Sequence, residues 1–508
     1  MSLIALPPEI FVLILASYCD IATLLALGQT CKALRPLSFS KAIWVLHIKR
    51  LQQQGLIARR EAPDPSELST EALVDLVKRV VLGPESWRVA DGQESFEPHL
   101  EVARTTLPAP MPAERAGSDL QRLVTFLPGD DFLLVKGNDV DSLECWDIER
   151  ARKIWHSKPP RENTRLLMDA VERCASGMFR FAMVYAALDN HRGDWIFEVV
   201  QLDIASDSDL DAVQTQLLEL DIVGLPQVHW HHTEVQLYGD FGILNLFGTD
   251  ELFLINWRAK TASRINILRV DYHVHSFNLT ANCIILLLGR GIFPPHDSET
   301  VFAPICLQIY DPQSVALEPF ESPAYFDNFP VQLSSTLSPI LQQKITPAEP
   351  NGTEFPFALF VYPSPLVDDT FRVWACAYQR RAAFNTADLL LHHFSLALPT
   401  RNRTGQSARL EPAPAGPVET TLRTTRNGII GPNNMHTSIT YSGHGQLLRM
   451  ASGSRGQSIH VLHPHGHQGL IELPELKPEG GGYVFMSPSL SGAWAYAERD
   501  EITILRFR

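Results

Sequence analysis

The stretch Cys145–Trp155, CWDIERARKIW, decides how this chain reads. An apolar run ends at Asp147, a polar turn follows, and a second strand-like run resumes in ARKIW. The same shape returns at Asp203 (VVQLDI), Trp257 (FLINWRAK) and Asp311 (LQIYDPQS), at intervals of 56, 54 and 54 residues. Less regular marks follow at Ser395 (LLLHHFSL), His463 (IHVLHPHG) and Arg506 (ITILRF). The apolar runs themselves are short: FLLV (132–135), GILNLF (242–247), ELFLIN (251–256), NCIILLL (282–288) and FRVWACAY (371–378) are typical. Across the chain, 30 Gly and 36 Pro are spread without clustering, which favours many turns and hence many short strands.

A fixed period of four-stranded units suits a β-propeller, because a blade buries its faces only against its neighbours. The fold class expected is therefore mainly β, a propeller of about seven blades over residues 86–508, with a β-sandwich as the alternative. Trp146-Asp147 resembles the dipeptide of WD-repeat propellers, although the period here exceeds the usual ~40–45 residues. Each of the seven marks needs an outer strand after it, and the seventh has only two residues left. Ser86–Ala90 or His99–Thr106 is thus expected to pair antiparallel with Glu501–Arg508, sparing the sheet a free edge. A short helix is expected near Asp209–Leu218, and the irregular stretch 312–395 is where the blade count is open to six or eight.

The 508 residues carry a net charge of −14, with 45% hydrophobic and 20% charged residues, the profile of a globular protein. That charge is uneven. Residues 1–60 hold seven Lys/Arg against Glu9 and Asp20, so the remainder carries −19. An acidic body argues against nucleic acid as the main ligand. A basic N-terminal segment on it suggests a separate module with its own acidic partner. The seven cysteines lie at least twelve residues apart with no metal-ligand spacing, and are expected as reduced thiols in the cytoplasm or nucleus. No apolar run is long enough to span a bilayer, and Pro7-Pro8-Glu9 interrupts the N-terminal one, so neither a membrane nor a signal peptide is expected.

In that N-terminal segment, Pro7-Pro8 opens a helix whose run IFVLIL (10–15) is apolar at every position and must be covered on all sides. Asp20 is placed to cap a second helix, Ile21 to about Gln29, and a third amphipathic stretch runs from Phe39 to Leu51. So small a bundle cannot bury all this apolar surface. Either the rest of the chain covers it, as an N-terminal cap, or a second protein does. The ordered set Leu6-Pro7, Glu9-Ile10, Ile14-Leu15, Asp20, Leu24, Leu27, Cys31-Lys32, Leu34 and Trp44 closely resembles an F-box. Departures from that pattern stand at Cys19, Ala33 and Pro36.

The resemblance implies an F-box module at 1–50 that docks on the Skp adaptor, and through it a cullin-RING ubiquitin ligase. The residues it implies for adaptor binding are Leu6, Pro7, Ile10, Ile14, Leu15, Leu24, Leu27, Cys31, Leu34 and Trp44. Residues 51–85 read as a linker containing one helix, capped by Ser69, running to Leu82 and stopped by Gly83-Pro84. The propeller would then hold a protein substrate, making the chain a substrate receptor of an SCF-type ligase. The rivals are a scaffold propeller with a helical cap and a carbohydrate-binding propeller.

No catalytic role is expected. No nucleophile elbow, P-loop, HExxH or dinucleotide fingerprint is present, and Asp130-Asp131 and Asp368-Asp369 sit in turn-like contexts. The histidine groups at 229–232, 273–275, 392–393 and 463–467 lack a completing carboxylate or Cys, so neither metal nor cofactor is expected. Trp195, Trp230, Trp257, Trp374 and Trp494 are expected chiefly as blade core.

Overall fold

The computed structural model describes residues 7–30, 32–83, 102–109, 124–136, 142–162, 164–175, 177–187, 194–204, 212–225, 234–246, 251–267, 273–280, 283–289, 305–333, 337–345, 353–380, 387–398, 408–412, 418–422, 439–441, 447–453, 456–462, 468–473, 486–489, 492–497 and 501–507. Its described strands form seven antiparallel-centred sheets in chain order, preceded by helices. The chain folds as a β-propeller with an N-terminal helical segment. Six blades are built from residues 124–156, 164–223, 234–266, 273–345, 353–422 and 439–473. The seventh combines three C-terminal strands with Val102–Pro108.

That last pairing is the closure expected from the strand count. Val102–Pro108 lies antiparallel on Glu501–Phe507, with Thr105 opposite Ile504. The strand sits slightly later than His99–Thr106, and Ser86–Ala90 lies outside the described residues. Among the described residues, successive blades from the seventh round to the fifth share apolar cores, as radial packing demands. Leu107 and Ile504 of the seventh meet Val124 and Leu133 of the first, and Leu134 and Cys145 of the first meet Phe181 and Leu202 of the second. Phe197, Val235 and Phe253 join the second to the third.

Each recurrent mark among the described residues falls at or near the end of the third strand of its blade, and local chemistry explains why. Asp147 Oδ1 accepts from Arg150 N at 3.0 Å, Asp311 Oδ1 from Gln313 N at 2.8 Å, and Asn256 Oδ1 from Ala259 N at 2.9 Å. Short Asx side chains start these turns by satisfying the backbone that leaves the strand. In the third blade the turn-starting residue is Asn256, one before the Trp257 read from the sequence. Four residues after Asp147 and Asn256, Ala151 and Lys260 share a positive φ of 49° and 54°, so the two turns have one geometry.

One expectation is corrected, and one open point is closed with the blade count at seven. The segment 213–218 belongs to a strand, Val213–Val223, paired along Trp195–Asp203. Its first four residues are exposed, and from Leu218 onward burial alternates, with Leu218, Leu220 and Ile222 inward, a period of two that outweighs its helix-forming residues. The irregular stretch after Asp311 adds no blade. It is a strap that leaves the fourth blade and runs back over the outer edges of the third and second. Glu318–Pro319 and Val331–Leu333 pair with Thr261–Asn266, and Ala324–Tyr325 pairs with Ile222-Val223. Phe326 and Phe329 pin the strap against Phe253, with ring centroids at 5.8 and 4.7 Å. Arg264 lies over Phe326 at 4.1 Å and forms a bidentate pair with Glu251.

Candidate functional site

Among the described residues five α-helices precede the propeller: α1 (Pro8–Tyr18), α2 (Ile21–Thr30), α3 (Arg35–Ser38), α4 (Lys41–Gln53) and α5 (Thr70–Leu82). Local signals set their starts. Pro8 opens the first turn of α1, Asp20 Oδ1 accepts from Thr23 N at 2.7 Å, and Ser69 Oγ accepts from Ala72 N at 3.2 Å. α4 continues to Gln53, past residue 50, and α5 packs on it: Trp44, Ile48 and Leu51 share a core with Leu73, Leu76, Val77 and Val80. A smaller core joins Phe11, Leu15, Leu24 and Ile43. Gly28 permits α2 to approach α3, since a Cβ there would lie 2.8 Å from Ser38 Oγ and 3.0 Å from Phe39.

These cores sort the residues implied by the F-box resemblance. Leu15, Leu24 and Trp44 are buried within the module, Trp44 stacking on Phe39 and donating its indole N–H to Ser38 O at 3.1 Å. They are not surface anchors; they hold the helices that carry the others. Ile14, Leu27 and Leu34 are half-buried, and Pro7 and Ile10 are exposed. Leu6 and Cys31 lie outside the described residues. On α1 the helical spacing puts Ile10, Leu13 and Ile14 on one stripe that ends at the exposed Ser17, with Leu13 61% and Ile10 45% exposed. Leu13, Tyr18 and Leu46, all exposed, were not singled out from the sequence, because a run apolar at every position does not say which face is covered. Lys32, Arg35 and Lys41 are exposed on α2–α4 and account for much of the local positive charge.

Residues of α2, α4 and the segment after α4 anchor the module to one end of the propeller. Gly55 (φ 76°) is pressed on the Pro128-Gly129 turn of the first blade, where a Cβ would come within 3.0 Å of Gly129 N. In the fifth blade, the turn between the first two strands inserts Leu366 into the α4–α5 core. Leu366 O accepts from Ala22 N at 3.0 Å, and Asp368 pairs with Arg50 at 2.6 Å. A charged seam completes the joint. Burial pushes the Asp131 carboxyl up to about 6 against the pull of Arg60 and Arg173, and raises Glu61. Burial and the charge of Arg60 hold Arg506 down to about 10. Arg173 Nη1, from the second blade, donates to Pro128 O at 3.2 Å.

The other expectations about chemistry come out as follows. His392 is buried and His393 packs on Trp374 at 4.6 Å, while the histidines at 229–232 and 463–467 lie outside the described residues. Among the described residues no group of three or more His, Cys, Asp or Glu is arranged to hold a metal ion. Asp130, with φ 58°, and Asp131 belong to the seam, and Asp368 to the fifth-blade anchor. Trp195, Trp257, Trp374 and Trp494 are blade core, and Trp230 lies outside the described residues. The six described cysteines are free thiols, four of them buried. Among the described residues no helix is long and apolar enough to cross a membrane.

No family model matches the sequence, and no curated protein matches it. Solved structures do resemble the propeller. The β-propeller domain of Myceliophteria thermophila Cps50 (Swd1) covers 77% of this chain and 97% of its own, at 12% identity and a TM-score of 0.42. Kuenenia stuttgartiensis hydrazine synthase covers 77% and 98%, at 10% identity and a TM-score of 0.38. The WD40 domain of Neurospora crassa Pan2 covers 76% and 74%, at 10% identity and a TM-score of 0.24. These are likenesses of fold.

Proposed function

We propose that this chain is a protein-recognition subunit of an SCF-type ubiquitin ligase, its helices docking the Skp adaptor and its propeller holding a target protein. The observation that carries the reading is the α1 stripe. Ile10 and Leu13 stay exposed although the module is fastened to the propeller through α2, α4 and the α4–α5 core. Apolar anchors left in water on an otherwise packed module mark an interaction surface. Lys32, Arg35 and Lys41 nearby favour a partner with acidic character. On this reading Leu6, Pro7, Ile10, Ile14, Leu27, Cys31 and Leu34 supply the contact surface. Leu15, Leu24 and Trp44 position it. Catalysis would belong to partner subunits, and the place of action would be the cytoplasm or nucleus.

The test is direct binding of the full chain to purified Skp adaptor by calorimetry. Complex formation is expected, and the paired substitutions Leu6→Ala with Pro7→Ala, or Ile10→Ala with Leu13→Ala, should weaken it strongly. A chain that folds yet shows no affinity for the adaptor would leave the helices as a cap on a scaffold propeller.

A further inference from the structure

The second blade ends, on the side away from the helices, in a cleft of about 650 Å³. Its first strand, Thr164–Ala175, fixes this placement. The Arg173 end reaches the Pro128 turn beneath the helical module, and Thr164 at the other end lines the cleft. Val223 and Pro323 of the strap give the cleft its open apolar lining, above the buried Trp195 and Ile222. The strap is held there by Ala324 and Tyr325 pairing with Ile222 and Val223, and by Ser322 Oγ accepting from Asp221 N at 3.1 Å.

The polar lining is acidic. Among the described lining residues, Glu162, Asp194 and Asp221 stand with one cation, Arg161. That guanidinium is already engaged, with Nη2 at 2.5 and 2.6 Å from the Asp221 oxygens and 3.7 Å from Glu219. An incoming anion would have to displace them. The strap adds to the same sign: residues 311–340 contain Asp311, Glu318, Glu321 and Asp327 and no Lys or Arg. Tyr325, two residues along the strap from Pro323 and paired with the lining residue Val223, is 58% exposed.

We infer that this cleft binds an extended segment of a partner protein in which Arg or Lys neighbours an apolar residue. The apolar side chain lies against Val223 and Pro323. The cation meets Glu162 and Asp194, with the Tyr325 ring available to cover it. The inference rests on the proposed function only in taking that segment to belong to a target protein; the chemistry of the cleft stands on its own.

The test uses the full chain and two fluorescein-labelled peptides, Gly-Leu-Arg-Leu-Arg-Leu-Gly and its Glu counterpart, read by fluorescence anisotropy. The Arg peptide should bind saturably and the Glu peptide should not. Glu162→Lys with Asp194→Lys should weaken the Arg peptide at least tenfold, and Tyr325→Ala, which removes only an exposed ring, about threefold. Glu67→Lys with Glu71→Lys, the same charge change placed among the helices, should leave it unchanged. Equal binding of both peptides, no saturable binding of either, or equal losses from the two charge reversals would overturn the assignment. Adaptor binding measured on the same preparations separates the two readings: its loss with peptide binding intact counts against the ligase role alone.

Discussion

The propeller and the helical module treat exposed surface in opposite ways. The propeller spends chain to cover its edges. Val102–Pro108 crosses from the start of the domain to pair with the last strand, and the strap from Asp311 onward covers the outer edges of two blades. A bare edge there is an invitation to pair with another chain. The module has fewer residues to make a core, yet it leaves Leu13 and Ile10 in water. A chain that takes such care over its edges elsewhere has reason to keep that stripe open, which is why the stripe carries the functional reading.

Substitutions on either side of this contrast should behave differently. The largest effect is expected inside the module: Trp44→Ala removes a 1%-exposed ring that joins α4 to Phe39 and α5. It should lower stability by about 3–5 kcal/mol, read as an early melting transition of the helices. Closure of the propeller comes next. Leu107, fully buried between the first and seventh blades, should cost about 2–4 kcal/mol when replaced by Ala; an unchanged melting temperature would mean the joining strand contributes little. Ile10→Ala with Leu13→Ala should reverse the pattern. Thermal stability should move by no more than about 0.5 kcal/mol, while adaptor affinity should fall by about 2 kcal/mol. If stability falls instead, the stripe is core and the contrast is gone.

The seam between the two regions offers a pH test. The Asp131 pKa is raised from 3.8 to about 6, so between those values the folded chain holds a proton that the unfolded chain has released. Stability should therefore fall as pH rises from about 4 to about 6. Asp131→Asn should remove that slope and make the protein more stable at pH 7 by on the order of 1 kcal/mol, with no gain at pH 4. The full worth of the shift is not expected, because Arg60 and Arg173 lose a neighbouring charge. Smallest of all is Asp368→Asn. Arg50 and Asp368 are each more than 40% exposed, and their pair should be worth about 0.2–1 kcal/mol, vanishing in high salt.

Much of this was legible because its causes are local. An Asx residue that ends a strand also starts the next turn, so Asp147 and Asp311 announced their blades. Asp20 and Ser69 announced two helices through the same short-range bonding. The expectation of a joining strand followed from counting strand ends, and Val102–Pro108 fills the outer position beside Glu501–Phe507. The segment 209–218 misled because its residues favour a helix in isolation, and only the partner strand Trp195–Asp203 reveals the alternation that prevails.

What the sequence by itself determined, then, is the repeat, its turns, the helix starts and the excess of apolar surface near the N-terminus. Those properties live within a few residues of one another. The tertiary structure alone decided which face of α1 stays open, that Leu366 from the fifth blade enters the helical core, and that the strap walls a cleft on the second blade. Such contacts join residues a hundred to more than three hundred positions apart. They are set by where blades bring turns and edges together, and no local period records that.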